Sequence, residues 1–286
     1  MKRVVLGMLM IMSLGFFNYA FAAPIDLPLG IRNSEDSEEI ARGFSISIEN
    51  DLILEQKLTA SNAAIDKADF YSAKFIRSFS SGGVPESNFY LSLGQVQDMK
   101  YKANLSGADV EFNLENGFLW GVGINMAVSG SDDSSELAKM FLLIDKAVNT
   151  LLGGSEDAGI KIFVDAKYRK LTELDYKSVA INGVSYTGDE VLRNTKKKWH
   201  ETQLALGLSK NFGVFVPYAG IKYSYIKTSA GVTVGSTAYN LSDVNAEKNA
   251  GLFLGCSLLP FERLYFDLEG RFINENAVTF QASYKF

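Results

Sequence analysis

From Phe44 to the final residue, apolar and polar side chains alternate with a period of two over many short segments, the pattern of strands that show one face to each of two environments. Phe44, Ile46 and Ile48 oppose Ser45, Ser47 and Glu49; Tyr71, Ala73 and Phe75 oppose Ser72 and Lys74; Phe89, Leu91 and Leu93 oppose Tyr90, Ser92 and Gly94. Val110, Phe112 and Leu114 oppose Asp109, Glu111 and Asn113, and after a turn signal at Glu115-Asn116-Gly117, Trp120, Val122, Ile124 and Met126 form the next apolar set. The second half repeats the rule. Ile160 to Tyr168 alternate with Lys161, Phe163, Asp165, Lys167 and Arg169, and His200, Leu204, Leu206 and Leu208 with Glu201, Gln203 and Ala205. Ala219 to Tyr225 alternate around Lys222, Leu252 to Leu258 include Cys256, and Leu264, Phe266, Leu268 and Phe272 oppose Tyr265, Asp267, Glu269 and Arg271. Last come Val278, Phe280, Ala282, Tyr284 and Phe286 against Thr279, Gln281, Ser283 and Lys285. One stretch departs from this rule. Leu137, Met140, Phe141, Ile144, Val148 and Leu151 recur at helical spacing behind Asp133 and Glu136, so an amphipathic helix is expected over 134–152, ending near Gly153.

A soluble sandwich or lipocalin-like barrel also alternates, with its apolar face inward, so periodicity alone leaves lipid-facing and core-facing open. The two chain ends add to it. Lys2 and Arg3 precede an apolar run from Val4 to Phe17 and the small-x-small triplet Ala20-Phe21-Ala22, which reads as a signal peptide cut after residue 22. The other end stops on Phe286, with Tyr284 two residues before it. In these features the chain resembles the outer-membrane β-barrel proteins of Gram-negative bacteria, a likeness of architecture rather than of a subfamily's functional residues. The resemblance implies an outer-membrane location among outer-membrane lipids. It also implies recognition by the barrel-assembly machinery through a terminal-strand signal, Phe280, Tyr284 and Phe286. The expected fold is therefore an all-β antiparallel transmembrane barrel over 42–286, after a signal peptide (1–22) and a polar lead (23–41). Eleven segments alternate and a single-chain bacterial barrel takes an even number, so about ten strands are expected, with eight to twelve open. Asp109 to Leu114 and Asp69 to Phe79 are the segments most in question. A periplasmic C-terminus would put the turns at Phe212-Gly213 and Leu259-Pro260 in the periplasm. Leu171 to Lys198, with a hairpin tip at Ile181-Asn182-Gly183-Val184, and Ser229 to Ala246 would then be external.

Charge changes the picture in two ways. Without residues 1–22, which carry Lys2 and Arg3, 26 Lys and Arg face 33 Asp and Glu, a net charge of −7, unlike the basic face of a nucleic-acid binder. On the polar faces, Lys74, Lys161, Lys167, Arg169, Lys222 and Arg271 nearly balance Glu49, Asp109, Glu111, Asp165, Glu201, Asp267 and Glu269. Together they are the expected lumen lining. A porin-like pore for ions or small solutes is the first functional expectation. A balanced set can equally cross-link a narrow lumen, which gives a non-conducting structural or surface-binding (adhesin-like) barrel as the alternative. A third class, an outer-membrane lipid hydrolase, rests on the sole histidine, His200, as base, with Thr202 two residues on. The single Cys256 excludes an intramolecular disulfide framework, and no metal-ligand cluster or nucleotide-cofactor motif appears.

Overall fold

The computed structural model describes residues 43–59, 62–81, 84–128, 160–172, 174–188 and 196–286. The signal peptide, the polar lead and the helix expected over 134–152 lie outside the described residues. The strands are β1 (Phe44–Lys57), β2 (Ala64–Ser81), β3 (Val84–Leu105), β4 (Ala108–Glu115), β5 (Gly117–Val128), β6 (Ile160–Thr172) and β7 (Asp175–Ile181). They continue with β8 (Val184–Tyr186), β9 (Lys196–Lys210), β10 (Phe215–Val234), β11 (Thr237–Asn245), β12 (Ala250–Phe261), β13 (Leu264–Phe272) and β14 (Asn276–Lys285).

Ten of these strands close a ring, every neighbour antiparallel, in the order β1, β2, β3, β5, β6, β9, β10, β12, β13 and β14. Closure is between the first and last strands: Ser45 pairs with Lys285 and Leu52 with Val278 in one continuous register. A closed sheet leaves no backbone edge unpaired, the condition for standing in lipid. The alternation then settles which face is which. Phe44, Ile48, Phe75, Leu204, Ile221, Leu254, Phe280 and Phe286 point outward and are exposed, while Glu49, Asp51, Asp165, Arg169, Glu201 and Arg271 point inward and are buried. That is the inverse of a soluble barrel and the arrangement a lipid solvent demands.

Asp69 to Phe79 belongs to β2 and is part of the wall; Asp109 to Leu114 belongs to β4 and is not. The wall strand β3 runs on past the ring, turns back at Ser106-Gly107, both with positive φ (55° and 82°), and returns as β4. Below it, β5 takes over the pairing with β3 in the same register: Met99 faces Leu114, and Val96 faces Gly117. Glu115-Asn116-Gly117 is therefore not a hairpin turn, as the sequence suggested. It is a kink in one descending strand, taken by Asn116 at φ 58°, a conformation that asparagine tolerates better than most residues. At this kink the neighbour changes from β7 to β6. The hairpin tip at Asn182-Gly183 is present as expected, joining β7 and β8.

The turns at 211–214 and 259–263 lie at the same end of the barrel as Phe286, whose N–H bonds to the Phe44 carbonyl (3.0 Å). The link between β5 and β6, which contains the expected helix, leaves from that end too. The extensions beyond the ring are all at the opposite end, which is where the sequence placed the two long loops.

Candidate functional site

The lumen is filled in layers. Nearest Phe286, Phe163, Val216, Tyr218 and Phe253 form an aromatic layer with Ala127 and Ala205. Glycines on neighbouring strands make this filling possible. A Cβ at Gly207 would lie 2.4 Å from the Phe163 ring, and one at Gly123 would lie 2.1 Å from Cζ of Tyr90. Tyr90 in turn donates its hydroxyl to Asp165 (3.0 Å). Gly123→Ala should cost about 1–3 kcal/mol by overpacking and by pulling Tyr90 off Asp165. A lowered urea midpoint at unchanged slope would show it, whereas an unchanged midpoint would mean the ring has room to move.

The middle layer is charged and spans the barrel. Arg169 of β6 places Nη1 2.8 Å from Asp51 Oδ2 on the far wall and holds Glu201 Oε2 with Nη2 (2.8 Å) and Nε (3.1 Å). The other oxygen of Asp51 accepts from Arg271 Nη2 (2.7 Å) and from the Thr279 hydroxyl (3.0 Å). Arg271 also meets Glu269 (3.2 Å) and Glu275 (3.7 Å). Around this brace Lys74 pairs with Glu49, Lys222 with Glu275, and Lys167 with Asp165 (3.7 Å). The Arg169 guanidinium carbon sits 5.4 Å from the ring centres of both Phe70 and Trp199, so its upper side is an aromatic lid.

Glu275 reaches the lumen from the link between β13 and β14. Ile273 there adopts φ 83°, a strained choice for a β-branched side chain, and points outward, while Asn274 and Glu275 are buried inside. Gly251 gives Asn274 its place, since a Cβ would meet Asn274 Oδ1 at 1.9 Å.

Beyond the charges lies a core of the soluble kind. One flap, made of the outer parts of β2 and β3 with β4, β7 and β8, leans against a second, the outer part of β10 with β11. Met99, Tyr101, Phe112, Val179, Ile226, Val232 and Leu241 are buried between them, over a floor of Ile53, Phe70, Leu119 and Trp199. Two polar joints tie the flaps. Tyr101 and Thr228 share a 2.7 Å hydrogen bond; the Tyr176 hydroxyl donates to the Gly231 carbonyl (3.0 Å) and accepts from its N–H (2.9 Å). Burial raises both phenols, Tyr176 to about 12, so both stay neutral donors across the physiological range. A bridge from Leu58 to Ala246 fastens the second flap to β1.

Of the expected lumen charges, Glu49, Lys74, Asp165, Lys167, Arg169, Glu201, Lys222, Asp267, Glu269 and Arg271 are buried inside the ring. Asp109 and Glu111 are not in the lumen. They face outward from β4, Asp109 exposed and Glu111 paired with Lys100 (2.8 Å), because β4 stands above the wall. Lys161 starts β6 at the Phe286 end and is exposed. Two central residues were missed, Asp51 and Glu275. Following the alternation of β1 past Glu49 would have found Asp51; nothing in the pattern marks a turn residue such as Glu275. Phe280, Tyr284 and Phe286 all face outward, Phe280 stacked on Phe266 (6.2 Å) and Phe286 near Phe44 (6.1 Å). Cys256 also faces outward, between Pro217 and Leu268. His200 points away from the lumen, paired across the sheet with Lys170 and Lys227, its ring 6.3 Å from Tyr168. Among the described residues there is no cluster of His, Cys, Asp and Glu able to hold a metal ion.

No protein-family model and no curated protein matches this chain. Among solved structures it is similar to an outer membrane channel from Pseudomonas putida F1 (7% identity, 88% of this chain and 100% of that one, TM-score 0.37). It is also similar to the transport unit of the autotransporter AIDA-I from Escherichia coli (9%, 88% and 92%, TM-score 0.34). A third likeness is to the toluene transporter TbuX of Ralstonia pickettii (11%, 85% and 89%, TM-score 0.21). Likenesses this distant lend nothing to the site, whose chemistry rests on its own geometry.

Proposed function

We propose that this chain is an integral outer-membrane β-barrel, a channel for ions or small solutes that is shut in the form described. The observation behind this reading is a charged lumen closed at one mouth by two apolar flaps and filled toward the Phe286 end by the aromatic layer of Phe163, Tyr218 and Phe253. The outward apolar face supplies the membrane half of the proposal, and the outward aromatics Phe280, Tyr284 and Phe286 at the closing seam are where assembly machinery would grip the last strand. The flaps supply the gate: they are continuous with the wall and meet each other through side-chain packing and two polar joints, so once the Leu58–Ala246 bridge gives way they can part without breaking the ring.

A second reading has its own observation. The Arg169–Asp51–Arg271 brace runs from wall to wall, as expected of a non-conducting barrel whose outer flaps, with the Asn182-Gly183 tip, meet a partner. Catalysis at His200 has less behind it, because the neighbouring positions on the adjacent strands are lysines. Refolded protein in liposomes, tested with salt and with sugars of graded size, separates the readings. The closed channel passes no sugar and conducts only in brief openings. Free sugar passage with a size cut-off would overturn the closure and make it an open pore.

A further inference from the structure

The outward face of β6, β9 and β10 carries a graded sequence of side chains that the lumen does not need. Toward the end away from Phe286, Lys170, His200 and Lys227 stand directly opposite one another on three adjacent strands. Lys198 lies two residues along β9 on the same face. Like charges placed opposite across strands destabilise a sheet unless something anionic offsets them. Here Asp243 pairs with Lys227 (3.2 Å), and among the described residues neither Lys170 nor Lys198 is paired with it. The next row on the same strands is Tyr168, Thr202 and Tyr225; Ala166, Leu204 and Tyr223 follow, and then the apolar row Val164, Leu206 and Ile221. Val164, Leu204, Leu206, Ile221 and Leu252 line a groove of about 670 Å³ there. A cationic row, an aromatic and hydroxyl row and an apolar groove in that order match the phosphate, the polar linkage and an acyl chain of one amphiphile.

We propose that this face is a binding site for a phosphomonoester-bearing lipid of the surrounding leaflet. Its phosphate lies on Lys170, His200 and Lys227, and a chain lies in the groove between β6 and β12. The site rests on the membrane embedding proposed above and not on conduction. Lys170 and Lys227 act as the charge clamp, and His200 strengthens it when protonated. His200 stands beyond the aromatic row, outside the apolar rows, and with no phosphate bound, burial and then the positive charges of Lys227 and Lys170 hold its imidazole below the usual range. Lys198 adds to this and Asp243 opposes it.

Because His200 is the only histidine, its NMR titration reads the site directly. The protein is placed in phosphatidylcholine nanodiscs with and without phosphatidic acid. The lipid should raise the His200 pKa by about one unit; inorganic phosphate at the same bulk concentration should not, and the Lys170→Gln/Lys227→Gln double variant should lose the rise. No rise with phosphatidic acid overturns the proposal. An equal rise with inorganic phosphate replaces the lipid by a free anion, and an undiminished rise in the double variant reduces it to surface potential. Quenching of the outward Trp120 by brominated acyl chains, in a Trp199→Phe background, reports the embedding separately. A bare site in an embedded barrel is thus distinguished from a barrel that is not embedded.

Discussion

Asp51→Asn should lower the stability of the barrel by about 3–5 kcal/mol, the cost of removing one partner from a buried ion network and leaving charge uncompensated. Asp51 is 1% exposed and Arg271 0%, so water has little access to make up the loss. The carboxylate receives both guanidiniums and the Thr279 hydroxyl, and the asparagine amide offers one acceptor in place of two charged ones. Arg169 keeps Glu201, and Arg271 keeps Glu269, so the wall strands hold their register and the deficit appears in the equilibrium midpoint. A second substitution makes the test specific. Asp51→Asn and Arg169→Met break the same ion pair, so in a double-mutant cycle in urea their combined cost should fall short of the sum of the single costs, even though Arg169→Met also takes the guanidinium from Glu201. If the two changes are simply additive, the brace seen in the structure is not an energetic unit.

Val232→Asp should open the closed mouth. Val232 is 1% exposed within the core between the flaps, and a carboxylate there has no partner, which costs several kcal/mol. The flaps have modest means to resist. Their polar joints and the hydrogen bonds of the Leu58–Ala246 bridge are worth roughly 0.5–1.5 kcal/mol each, while the wall beneath keeps its ladder. The outer part of β10 and β11 should swing away, the open population rising by about tenfold for each 1.4 kcal/mol moved from closed to open; conductance in planar bilayers follows it only as the Arg169 brace and the Phe163 layer beneath yield as well. The effect has a sign in pH. Closing the flaps over the new carboxylate favours its protonated form, so the variant conducts at neutral pH and closes again as pH falls, whereas a permanently misfolded mouth would not close. A folded Val232→Asp barrel that never conducts would leave the non-conducting reading in possession.

The wall was legible in the sequence because lipid imposes its rule on every outward residue of every spanning strand, so Phe44 to Ile48 and Val278 to Phe286 declare themselves locally. Most of the lumen followed by parity from the same rule, which is how Arg169, Glu201 and Arg271 were found without any contact being known. The flaps were not legible, because β4 alternates as well as a wall strand does while facing a core of its own. Val110, Phe112 and Leu114 point to that core and Asp109 and Glu111 to solvent, with nothing in the spacing to separate a clasp from a membrane. Asn116 misled for a related reason. Asn-Gly is a turn pair by local chemistry, but the ladder with β3 carries the chain straight through it. Asp51 was lost only where the alternation was cut short, whereas Glu275 depends on the strained φ of Ile273, which only the assembled ring enforces.

The seam has a kinetic meaning. Ser47 and Ser283, joined by a 2.8 Å hydrogen bond, are 236 positions apart in the chain, and the β1–β14 pairing they belong to carries the largest loop-closure entropy of any strand pairing in the wall. Until it happens, β1 and β14 are two open edges whose backbone groups find no partners in lipid. Hairpins along the ring can form in any order, but none is safe in the bilayer until the two ends find each other. Closure of β1 on β14 is thus the committing step of assembly, and a kinetic phase sensitive to Ser47 and Ser283 yet indifferent to Tyr101 and Val232 is its signature.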